Sequence, residues 1–203
     1  MKRAFSLMEL VFVIVVVGIL AAAVIPRVER DTLYEAAEQL VSHIRHTQNL
    51  ALNDNLYRDD NATWFKAMWR MSFRNCTGGG KYYIVFSDKD QGGNADYDER
   101  ARDPLTHRQL YVNNDCDQES YTYNGVILSE KYGIEEIVLG GGCFGSNQYV
   151  AFDHLGRPHY DLVAPHHVVT SECTIRLIGA GGEALIKIQP ETGYTRIASI
   201  IDY

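Results

Sequence analysis

The amino-acid sequence predicts an α+β protein. It has a long N-terminal spine helix, with a membrane half and an amphipathic half, packed on an antiparallel β-sheet head. Three observations lead there. The stretch from Phe5 to Ile25 is apolar, with only Ser6 and Glu9 strongly polar. A helical pattern resumes directly after Pro26. From Trp69 onward the chain reads as short strands separated by glycine-rich turns. A helix followed by many strands segregates the two kinds of element.

The 203 residues suffice for one domain plus such a helix. The predicted divisions are a basic leader (1–4), a membrane and assembly helix (5–26), an amphipathic helix (27–54) and a β-rich head (55–203). At the helical rise, the apolar stretch is about 30 Å long, the thickness of a bilayer's hydrocarbon core. Glu9 inside it is costly in lipid and so reads as functional. Gly18 and Ala21-Ala22-Ala23 allow close helix approach, while Pro26 removes a backbone donor and loosens the helix. Beyond it, Leu33, Ala37, Leu40, Ile44, Thr47 and Ala51 recur at steps of three and four, which places them on one helical face. Asn53-Asp54-Asn55 supplies the stop.

In the head, Trp69, Met71 and Phe73 alternate with Arg70, Ser72 and Arg74, as in a half-buried strand. Further candidate strands are 82–86, 121–128, 136–139, 149–152, 174–178, 184–189 and 194–197. Gly181-Gly182, between two apolar runs, reads as a hairpin turn. The glycine triplets at 78–80 and 140–142 are not phosphate loops, since no GK(S/T) follows and no helix opens after them.

Lys2-Arg3-Ala4, then Phe5, Ser6-Leu7-Met8-Glu9-Leu10, a long apolar run and Pro26 together resemble the type IV prepilin signal. Ala4 stands before the cut, where that family prefers Gly. Residues 37–51, 83–90, 152–158 and 190–194 are similar to segments of GspH/FimT-type pseudopilins, in the same order. The resemblance implies cleavage between Ala4 and Phe5, N-methylation of Phe5, a pilin-like fold, and assembly through the N-terminal helix with other pilins or pseudopilins. It also implies a prepilin peptidase/N-methyltransferase and an inner-membrane assembly platform as partners. The protein would be single-pass in the inner membrane, its head in the periplasm, before entering a pilus or pseudopilus. An ordinary signal peptide cut behind Ala21-Ala22-Ala23 is the competing reading. Glu9 argues against it, because a removed segment gains nothing from a buried charge.

The implied chemistry is pairing. A freed α-amine at Phe5 is positive near neutral pH. Two charges in an apolar layer are expensive unless they meet. Glu9 of one subunit against the Phe5 amine of the next would neutralise both and fix the axial register.

Four cysteines, Cys76, Cys116, Cys143 and Cys173, all lie in the head; an even count in an exported domain suggests two disulfides with three connectivities. Pairing neighbours along the chain favours Cys76–Cys116 and Cys143–Cys173. No cofactor is required. Asp88, Asp90, Asp96 and Glu99 occupy positions one, three, nine and twelve of a calcium-type loop, with Gly93 at its turn position; a solvated acidic turn is the alternative. Asn61-Ala62-Thr63 is a glycosylation acceptor sequence. The histidines, including His43 and His46, form no metal signature and read as surface or half-buried residues. No GxSxG, HExxH or Walker sequence appears, so nothing points to an enzyme. The net charge of −7 disfavours nucleic acid. A DNA-binding competence pseudopilin is the nearest alternative, and a membrane-anchored periplasmic enzyme or binding protein the more distant one.

Overall fold

The structure, a computed structural model, describes residues 7–54, 56–143 and 148–203 and, for residues 22–31, the backbone only. Helix α1 runs from Leu7 to Asn53. Strands β1 (Trp69–Asn75), β2 (Lys81–Phe86), β3 (Ile134–Gly141), β4 (Tyr149–Phe152), β5 (Pro158–His159), β6 (Cys173–Gly179), β7 (Gly182–Ile188) and β8 (Thr195–Asp202) follow. The short helix α2 (Leu128–Tyr132) precedes β3, and Gly133 in the left-handed region caps it.

These elements correct the predicted fold class. The head is not one sheet but two four-stranded antiparallel sheets, ordered β2-β1-β4-β5 and β3-β6-β7-β8. The expected membrane half is not found either: among the described residues no helix is long and apolar enough to cross a membrane. The candidate strand at 121–128 is a 3-10 turn, Asn124–Val126, flanked by isolated bridges.

The core lies where α1 meets both sheets. Leu33, Ala37, Leu40, Ile44, Thr47 and Ala51 are all buried, the face their spacing predicts. Trp69, Met71 and Phe73 of β1 join them, with Tyr83 and Val85 of β2 and Val150 and Phe152 of β4. From the second sheet come Cys173, Ile175 and Leu177 of β6 and Ala184, Ile186 and Ile188 of β7, every second residue of each strand. Each large aliphatic side chain so buried contributes about 1.5–3 kcal/mol. Arg70, Ser72 and Arg74 fall on the opposite face of β1, because successive strand side chains alternate.

The open edge of β2 is covered by its own following loop. The Val85 amide donates to the Leu110 carbonyl at 2.9 Å, and the Ala101 amide donates to Val85 at 2.9 Å. This pairing blunts an edge that would otherwise template association.

One side chain of α1 ties the two sheets together. Gln48 Nε2 donates to the Gly156 carbonyl in the β4–β5 turn and to the Thr192 carbonyl in the β7–β8 turn, each at 2.8 Å. Arg45 adds two bonds to the Thr195 carbonyl, at 2.7 and 3.2 Å. Gly193, at φ +63°, closes the junction: a Cβ there would stand 2.4 Å from Gln48 Nε2 and 2.6 Å from the Gly156 carbonyl oxygen. The segments 152–158 and 190–194 thus converge on one glutamine.

Candidate functional site

Of the residues the prepilin resemblance singles out, Ala4 and Phe5 lie outside the described residues, as does the side chain of Pro26. Glu9 lies in the first described turn of α1. Around it stand exposed Leu7, Met8, Leu10, Val11 and Phe12, and the exposure continues to Leu20. The apolar side chains point in every direction around the helix rather than along one stripe, so no single face of the head could cover them.

The acidic loop after β2 closes on itself. Asp88, Asp90 and Glu99 bring one oxygen each within 4.8 Å of one another; Asp96 is not in this group. Buried Glu99 works as a backbone acceptor: Oε1 takes the amides of Lys89 (2.5 Å) and Asp90 (3.1 Å), and Oε2 takes that of Asp96 (3.2 Å). Asp88 pairs with Arg70 at 3.0 Å and accepts from the Gly93 amide at 3.2 Å. A divalent cation here would have to compete with the guanidinium of Arg70 and with these amides. Only three of the four carboxylates come together, so the rest of the six to eight oxygens that calcium takes would have to come from carbonyls and water.

Cys76 is bonded to Cys116 and Cys143 to Cys173. The first bond fastens the turn after β1 to the long loop that covers β2. The second joins the chain just past β3 to the start of β6, where Gly141 already faces Cys173. Asn61 lies exposed in a turn; its Oδ1 accepts from the Thr63 amide and hydroxyl, both at 2.9 Å.

A polar network inside the core has no counterpart in the sequence reading. His43, expected at or near the surface, is buried: its ring meets the hydroxyl of Tyr83 through Nδ1 at 2.6 Å and Asp103 Oδ1 through Nε2 at 3.1 Å. Asp103 Oδ2 also accepts from the Thr106 amide and hydroxyl, at 2.6 and 2.7 Å. Burial pushes the Asp103 carboxyl up, but these Thr106 bonds, with His43, outweigh it and hold Asp103 below its ordinary value. Burial lowers His43, and this outweighs the pull of Asp103. A neutral His43 therefore donates from Nε2 to the carboxylate and accepts the Tyr83 proton at Nδ1.

Gln39 completes the network. Its Nε2 donates to Tyr83 Oη at 3.0 Å and to the Gly125 carbonyl at 2.7 Å; its Oε1 accepts the hydroxyls of Tyr123, at 3.0 Å, and Tyr132. Each donor is matched to an acceptor, the condition for burying polar groups without loss. A tyrosine, a histidine and an aspartate in line have the form of a nucleophile, base and orienter. Tyr83 is fully enclosed, however, so no substrate can reach its oxygen. A second such centre is Asp153, which accepts from the Leu155 and Arg157 amides, from Arg157 Nε at 2.8 Å and from His159 Nε2 at 3.3 Å. Burial pushes it up, but the bonds from His159 and Arg157 prevail and hold it at about 2.

Compared with protein-family models, with curated proteins and with solved structures, the chain matches none.

Proposed function

We propose that this chain is a structural subunit, a minor pseudopilin or pilin, that enters a filament-like assembly through its N-terminal segment. Before assembly it is held at the inner membrane, with its head in the periplasm. One observation carries the reading: the apolar side chains of residues 7–20 stand uncovered, with Leu7 81 %, Met8 80 % and Phe12 71 % exposed. Contiguous apolar exposure of this extent marks a surface for lipid or for another protein. Because it surrounds the helix, several neighbours are needed to cover it, as lipid does before assembly and sibling helices do after. Glu9 within it finds its partner in the freed Phe5 amine of an adjoining subunit. The two disulfides support an oxidising compartment for the head.

The test replaces Glu9 in the full-length chain, produced beside its own assembly machinery. Glu9→Leu should fractionate with membranes yet be missing from sheared filaments. Incorporation at the wild-type level would refute the pairing. N-terminal sequencing supplies an independent readout: a chain beginning at a methylated Phe5 supports the reading, and one beginning at Met1 or after the alanines at 21–23 overturns it.

A further inference from the structure

Two stretches of the chain read Asn-x-Thr: Asn61-Ala62-Thr63 and Asn75-Cys76-Thr77. In an exported chain this pattern accepts a sugar on the asparagine amide nitrogen, provided that it lies on an accessible loop. The two disulfides fit export. The fold treats the two stretches in opposite ways. Asn75 is the last residue of β1, in register with Lys81 of β2, and its Oδ1 accepts from Lys81 Nζ at 2.8 Å. Cys76 is held to Cys116. The Thr77 amide donates to the Asn114 carbonyl and its hydroxyl to Asp115 Oδ1, each at 2.8 Å. A transferase could not draw this stretch into its own groove without unpicking β1 from β2.

Asn61 lies in the loop between α1 and β1. Residues 57–62 are all exposed. The backbone bonds around it are short-range: the Trp64 amide donates to the Asn61 carbonyl at 3.1 Å, and the Lys66 amide to the Thr63 carbonyl at 2.9 Å. Such a segment opens at low cost. Its side chain is also set the right way round. The Thr63 amide, which can only donate, and the Thr63 hydroxyl both meet one atom of the Asn61 side-chain amide, at 2.9 Å. That atom is therefore the oxygen, and Nδ2 is not what holds the turn. A hollow of about 310 Å³ opens beside it, with Arg58, Trp64, Lys89 and Gln91 in its lining. Polar side chains around a half-buried indole suit a sugar, whose ring carries hydroxyls at its rim and C–H groups on its faces.

We propose that Asn61, and not Asn75, carries an N-linked glycan. Nδ2 bonds to the anomeric carbon of a sugar carried on a lipid diphosphate. The bond from that carbon to the diphosphate oxygen breaks. The lipid diphosphate leaves with the bonding electron pair, and the Nδ2 proton passes to a base on the transferase. Exposed Asp59, two residues before the acceptor, offers the transferase a charge; buried Phe73 stands at that place before Asn75. The site lies just past the end of α1 opposite Leu7. At 47 residues the helix puts them about 70 Å apart along its axis, so a glycan there leaves the N-terminal segment clear. Glycosylation needs the export of the reading above, and not the pairing of Glu9.

Mass spectrometry of the full-length chain, purified from its own cells, tests this. After reduction, trypsin frees residues 59–66 and 75–81 as separate peptides. A saccharide mass on Asn61, with residues 75–81 unmodified, supports the proposal. An unmodified Asn61, or sugar on both asparagines, overturns it. Thr63→Ser should keep the modification and Thr63→Ala should lose it; a sugar that persists in Thr63→Ala overturns the site as well. Asn61→Gln should lose the glycan yet enter filaments at the wild-type level, and Glu9→Leu should keep it, which separates failure of this site from failure of the assembly reading.

Discussion

Replacing Gln39 by leucine removes the hub of the buried network while keeping nearly the same volume. Four hydrogen bonds are lost. Tyr83 keeps its bond to His43, so its own proton stays matched. The Gly125 carbonyl and the hydroxyls of Tyr123 and Tyr132 do not keep theirs. Tyr132 and Gly125 are buried and Tyr123 is half-buried, so water can rescue only part of the loss. At about 1–3 kcal/mol for each of the two buried groups left unmatched, and little for the half-exposed one, the expected destabilisation is about 2–6 kcal/mol. For a domain of this size each kcal/mol lowers the midpoint by about 2–4 °C, giving a fall of roughly 4–24 °C. Thermal unfolding followed by circular dichroism measures it, with Tyr123→Phe as the control that deletes one hydroxyl and leaves the hub. A Gln39→Leu midpoint within about 2 °C of wild type would show that the network contributes little net stability, and the reasoning from unmatched groups would fail.

Stability should fall with pH in two stages. His43 is lowered by burial, so its contribution is complete above the ordinary histidine value of 6.5 and is lost as pH falls below it. Asp103 and Asp153 are also lowered from 3.8, so their contribution is complete above that and drains away beneath it, toward about 2 for Asp153. Melting curves between pH 8 and pH 3 should show both stages, and His43→Gln should flatten the first. Gly193→Ala combines a left-handed φ with a clash against the backbone oxygen of Gly156, and should cost about 2–3 kcal/mol in denaturant unfolding. Millimolar calcium should raise the melting midpoint by less than about 1 °C, since amides and Arg70 already occupy the loop's oxygens; a larger rise would show that the cation wins that competition.

Local periodicity made much of the secondary structure legible. The face Leu33 to Ala51 and the alternation Trp69, Met71, Phe73 are properties of neighbouring residues, and each is buried as its spacing implies. What periodicity does not carry is which strand pairs with which. Nothing within β1 announces that it pairs with β4 and not with β3, and that choice makes two sheets instead of one. The same gap hid His43: its partners lie 40 and 60 residues away, and on the helix it resembles its solvent-side neighbour His46. The alternating run at 121–128 misled because Gly125 breaks it. A Cβ there would sit 2.6 Å from Gln39 Nε2, so the chain turns to let its carbonyl meet the glutamine. β5, two residues long, has no pattern to read.

The bonds from Gln48 to both turns have a mechanical consequence. A pull along the axis of α1 reaches both sheets at once, through the buried face of the helix and through the Gln48 amide, and is divided between them as shear. A head built this way shares tension between its two sheets instead of loading one of them.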